Sequence, residues 1–128
     1  PRYRKVAAKI RQPWIIHSDG NILPFVDDFL SVGVAALHPN EKGAMDIRAV
    51  KRQYGDRLCL LGNVDLNLLG MGSPDAVDQE VKELIRDVAP GGGYVVTSGN
   101  SLAAYLLPDN VRALGTAVQK YGRYPIRV

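Results

Sequence analysis

After a short basic opening segment, the chain repeats one pattern four times: a brief apolar run, a polar loop, then an amphipathic stretch closed by glycine. The runs at 14–17, 34–38, 58–62 and 94–97 are nearly continuous in apolar character, as strands covered on both faces of a parallel sheet are. Apolar positions then recur at three- and four-residue intervals, which predicts helices over 22–32, 46–54, 74–88 and 108–121. In the third of these, Val77, Val81, Leu84, Ile85 and Val88 form one stripe, opposite Asp78, Lys82, Glu83 and Arg86. Ser73 and Pro74 supply an N-cap and a proline at the first helical position. Gly33, Gly55, Gly91 and Gly122 stand where left-handed C-caps are expected.

Strand and helix alternation with short connections implies right-handed crossovers and a parallel sheet. That leaves two architectures, an open doubly wound sheet and a (β/α) barrel. A dinucleotide-binding sheet carries G-x-G-x-x-G at the start of its first helix. The glycines of "PGGGY" instead precede a strand, which reads as a turn.

Polar residues gather in the loops that follow the strands. His17, Ser18, Asp19 and Asn21 follow the first run. His38, Asn40 and Glu41 follow the second, Asn63 and Asp65 the third, and Ser98, Asn100 and Ser101 the fourth. The loops at the other strand ends, "SVGV", "YGDR" and "APGGGY", are mostly turn formers. In parallel α/β folds the C-terminal strand ends share one face, and ligands bind there. The asymmetry predicts a binding or catalytic rim. Asp19 and Asp65 have an alternative role as helix caps. His17 has one as a structural histidine, and zinc held by both histidines with Asp19 or Glu41 is a further alternative.

Composition narrows this only a little. With 128 residues, 46% hydrophobic and 23% charged, the chain is expected to form one soluble domain. No apolar run reaches the roughly 20 residues of a membrane span and no secretory leader is seen, so the expected location is the cytoplasm. Cys59 lies in "RLCLLG" and reads as a small buried side chain in a reducing compartment. The net charge of +3 is local: Arg2, Arg4, Lys5, Lys9 and Arg11 precede residue 13 without an acid, leaving 11 basic residues against 13 acidic ones. A solvated helix face accounts for it, and no nucleic-acid motif accompanies it. The chain opens at Pro1 without an initiator Met, which leaves room for upstream residues.

The segments "WIIHSDGNILPFVDDFLSVGVAALHPN", "GDRLCLLGNVDLNLLGMGSPDAVDQEVKELI" and "GGGYVVTSGNSLAAYLLPDNVRALGTAVQKYGRYP" together resemble the C-terminal half of the uroporphyrinogen decarboxylase superfamily. The most specific features are Asp19-Gly20, the Gly62-Asn63-Val64-Asp65 loop ahead of Ser73-Pro74, and Pro108-Asp109-Asn110-Val111. The resemblance implies the last four units of a (β/α)8 barrel, a (βα)4 half of a TIM-type barrel. The superfamily holds decarboxylases of haem biosynthesis and zinc-dependent methyltransferases that work with corrinoid proteins. Where its decarboxylases have Gly-His-Gly, this chain has Gly99-Asn100-Ser101, which points toward the methyltransferase-like branch. The methyltransferases' zinc-binding His-x-Cys and later Cys correspond to His17, Asp19 and Asn100.

The resemblance therefore implies His17 and Asp19 as catalytic residues, acting as metal ligands or as a base and its orienter. Asn21, His38, Asn63, Asp65, Ser98, Asn100 and Ser101 are implied as contacts to a small-molecule substrate, with zinc and a corrinoid methyl carrier as candidate cofactors. Half a barrel leaves two strand edges open, so a homo-oligomer formed through those edges is expected. The other readings are a true uroporphyrinogen decarboxylase and a non-catalytic binding or assembly module.

Overall fold

The computed structural model describes residues 2–128. Strands β1 (Trp14–His17), β2 (Val34–His38), β3 (Cys59–Val64) and β4 (Tyr94–Ser98) alternate with helices. The helices are α1 (Arg2–Ala7), α2 (Val26–Ser31), α3 (Ile47–Tyr54), α4 (Leu66–Met71), α5 (Pro74–Val88) and α6 (Pro108–Tyr121). All three strand pairs are parallel, and the sheet order is β1-β2-β3-β4.

That strictly sequential order decides between the two architectures. A doubly wound sheet reverses its order at a switch point, whereas a barrel keeps winding in one sense. The fold is four consecutive βα units, half of a TIM-type barrel.

The core lies between the sheet and the helices. Val77, Val81, Leu84, Ile85 and Val88 of α5 are all buried, so the stripe legible in the sequence is the face that packs. Beneath the helices lie Leu37, Leu60 and Val64, with Leu60 in register with Leu37 on one side and Tyr94 on the other. Each such side chain contributes about 1.5–3 kcal/mol by leaving water.

The opposite face of the sheet departs from the expectation of strands covered on both sides. Burial alternates along β1, where Ile15 is 54% exposed, and Val95 on β4 is 47% exposed. In a closed barrel, that face is filled by side chains from strands across the lumen. Four strands alone leave the edge members bare.

Local differences from the sequence reading have identifiable causes. The helix expected at 22–32 begins as a 3₁₀ turn, Leu23–Phe25, and becomes α-helical only at Val26. Pro24 lacks the N–H and its fixed φ suits such an opening turn. Helix α4 has no counterpart in the apolar periodicity because it is six residues long and holds Gly70. Its start is marked by Asp65, whose carboxylate accepts from Asn67 N at 2.8 Å. The third strand runs two residues past its expected end, taking in Asn63 and Val64. Gly33 and Gly91 take the left-handed conformation expected at helix ends, but Gly55 and Gly122 have negative φ and simply prolong the last turns.

Polar ties also join the units, among them the following. Arg48 of α3 donates to Asp87 of α5 at 2.6 Å, and Asp87 also accepts from Arg86. The Arg86 hydrogen bond, with Arg48 adding to it, holds the Asp87 carboxyl down at about 2. Tyr94 Oη donates to Gly62 O at 2.6 Å. Buried Asn110, at the start of α6, donates to the carbonyls of Leu68, Leu69 and Gly72, locking α4 against α6.

Candidate active site

The C-terminal ends of β1 and β2 are the floor of the site. Ser18 N donates to His38 O at 2.9 Å, extending the β1–β2 ladder by one bond, so His17 and His38 emerge side by side. Their Nδ1 atoms are 2.7 Å apart and their ring centroids 4.7 Å apart. His17 Nε2 turns toward Asp19 Oδ1 at 3.7 Å.

Residue 20 must turn the chain sharply, and glycine there takes φ +76° at no steric cost. Its N–H donates to Glu41 Oε2 at 2.5 Å, which draws the loop after β2 over the loop after β1. From the far side of the sheet, Asn100 Nδ2 donates to Asp19 Oδ1 at 2.9 Å, linking the first loop to the last across 81 residues of sequence. Asn100 is itself fixed: its Oδ1 accepts from Ser101 N, and its backbone carbonyl accepts from Ser98 Oγ at 2.6 Å.

His17, Asp19, His38 and Asn100 thus come together, with Ser98 and Ser101 holding Asn100. Other residues of the expected set take different positions. Asn21 accepts from Leu23 N at 3.1 Å and opens the 3₁₀ turn. Asp65 caps α4 while lining the neighbouring cleft. Asn63 is buried within β3, where its amide donates to Asn40 O at 2.6 Å. Asn40 is also buried, with φ +56°, and donates to the carbonyls of Leu37 and Leu61, so this pair braces β2 against β3 beneath the rim.

A cleft of about 250 Å³ adjoins the cluster, lined by Glu41, Lys42, Asp65, Asn67, Asn100 and Tyr105. Lys42, Asn67 and Tyr105 were not marked by the sequence pattern. Tyr105 lies in an irregular segment, and Lys42 and Asn67 look like ordinary surface positions. A larger groove of about 670 Å³, between α1 and α2, has Phe25, Phe29 and Val32 in its lining but none of the rim residues. The smaller cleft touches both Asp19's partner Asn100 and the Glu41 loop, and the larger groove touches neither.

Burial pushes the His38 imidazole below its ordinary value, and the neighbouring His17 pushes in the same direction; the Ser98 backbone and Asp19 oppose them. A neutral imidazole at the end of β2 is the outcome near neutral pH. The Cys59 thiol is raised by burial, with Lys51 pulling it down, so it remains a thiol on the sheet and not a nucleophile.

The donor set does not fit zinc. Among the described residues, no three His, Cys, Asp or Glu side chains gather as ligands. The residue at the third expected position, Asn100, presents its NH₂ to Asp19, and its oxygen is taken by Ser101 N.

A half-barrel with its polar cluster at the C-terminal strand ends has the arrangement by which βα-barrels gather their βα loops on one face. Residues 1–121 match the model of the family Uroporphyrinogen decarboxylase (URO-D), and the chain belongs to that family. The uroporphyrinogen decarboxylase of Herminiimonas arsenicoxydans is 28% identical over 117 residues, 89% of this chain and 31% of that protein. The one from Methylibium petroleiphilum is 34% identical over 82 residues, 62% of this chain and 22% of its own length. A solved methyltransferase from Methanosarcina mazei superposes with a TM-score of 0.78 at 27% identity, over 95% of this chain and 35% of that one. The chain spans about a third or less of the length of these relatives. Among the described residues no helix is long and apolar enough to cross a membrane.

Proposed function

We propose that this chain contributes the C-terminal half of a barrel active site of the methyltransferase-like branch, and that the site is complete only when further strands close the barrel. His17 is its acid–base residue and Asp19 its orienter, with Asn100 holding Asp19 in place. His38 and the Glu41–Tyr105 cleft meet a small substrate.

The observation that carries the branch is the sign of the rim's charge. Glu41 and Asp65 line the cleft, Asp19 stands beside it on Asn100, and the rim's Lys42 is bound by Glu80 at 2.6 Å. A polycarboxylate such as uroporphyrinogen meets repulsion there, whereas a neutral or cationic small molecule does not. The likeness to the Methanosarcina mazei methyltransferase supports the same branch. The decarboxylase reading draws on the names of the curated relatives.

Fluorescence quenching separates the two. Uroporphyrin titrated into the purified protein is expected to give no saturable quenching of Trp14. Saturation in the micromolar range would overturn the branch assignment in favour of the decarboxylase.

A second copy, or an N-terminal half of the barrel encoded upstream, would supply the remaining strands. A two-fold axis along the barrel axis would set β4 of each copy beside β1 of the other, keep all eight strands parallel and bring both rims to one end. It would also cover the bare Ile15 and Val95.

A further inference from the structure

The closest polar contact between strand ends in the rim joins two imidazoles through the same kind of atom. His17 Nδ1 and His38 Nδ1 lie 2.7 Å apart, within hydrogen-bond range, with the rings tilted at 45°. Two bare ring lone pairs repel at that distance, so one nitrogen must carry a proton and the other accept it.

The surroundings fix the two outer nitrogens. His17 Nε2 faces Asp19 Oδ1 at 3.7 Å, while His38 is flanked by the Ser98 backbone and burial disfavours its charged form. The proton between the strand ends is therefore shared along the Nδ1···Nδ1 line.

We infer that His38 is a positioning residue for His17: the shared Nδ1–H···Nδ1 bond, with Asp19 on the opposite nitrogen, clamps the His17 ring between strand ends and uses the nitrogens a metal would need. This rests on the reading of His17 as the rim's acid–base residue. The mismatch with a zinc site then has a positive cause, because one proton between the rings occupies the position of an ion. Asn100 donates to Asp19, Asp19 stands 3.7 Å from His17 Nε2, and His17 meets His38, so polar contacts run from β4's loop to β2.

Imidazole nitrogen NMR on the full ¹⁵N-labelled chain reads this directly, since the protein has two histidines. A downfield proton coupled to both Nδ1 atoms is expected. His38→Phe should abolish that signal, while His38→Gln, which keeps an acceptor, should retain a slowly exchanging proton on His17 Nδ1. One equivalent of zinc should leave the wild-type signals in place.

Two uncoupled rings in the wild type would overturn the inference even if neither variant folded. So would zinc displacing the shared proton and shifting both rings. The porphyrin titration is indifferent to the histidine pair, so failure of the branch assignment and failure of the clamp give different results.

Discussion

Gly62→Ala is expected to destabilise the protein by about 3 kcal/mol or more, enough to leave much of it unfolded at 37 °C. Gly62 has φ +144°, a conformation disfavoured for any residue with a Cβ, and a Cβ built there would stand 2.0 Å from the Pro39 carbonyl oxygen. The obstacle is backbone, so no side-chain rotation relieves it. Pro39 and Asn40 would have to move off β3, breaking the Asn40–Leu61 and Asn63–Asn40 hydrogen bonds that brace the rim. Gly115→Ala is the control: nothing lies within 4 Å of its Cβ and it sits inside α6, so alanine should stabilise by about 0.5–1 kcal/mol. Urea unfolding of both variants measures the contrast. Equal midpoints would mean that the β2–β3 junction is looser than described.

Asn110→Ala is expected to cost about 1–3 kcal/mol by the same measurement. Its amide donates to Leu68 O, Leu69 O and Gly72 O at the end of α4; the first two keep Gly72 N and Leu107 N, so alanine takes from Gly72 O its donor on α6. Asn110→Asp should be worse, since an ionised carboxylate donates nothing and faces three carbonyls. A loss under about 0.5 kcal/mol in the alanine variant would show that water replaces the amide and that α4 is held by packing alone.

These two residues illustrate how far sequence reading reaches here. The alternation of strands and helices, the parallel sheet and the α5 stripe follow from periodicity, because each depends on apolar spacing within one short segment. The gathering of polar residues after the strands was legible for the same reason: topology alone carries every βα loop to one end. What individual residues do within that end was not legible. Asn63 and Asn100 are both asparagines following an apolar run, yet one is buried beneath the rim and the other reaches Asp19 across the sheet. The difference lies in where β3 stops, and two extra ladder residues decided it. Asn110 was prominent only as part of the Pro108-Asp109-Asn110-Val111 signature. Its three acceptors belong to a helix too short to leave a periodic trace.

The most direct test of the half-barrel account is the mass of the purified chain in solution, by light scattering over a dilution series. With β1 and β4 both open and the lumen face bare, the account predicts a particle of twice the chain's 14.0 kDa, dissociating only at high dilution. A particle of 14.0 kDa at every concentration would contradict closure of the barrel by a second copy.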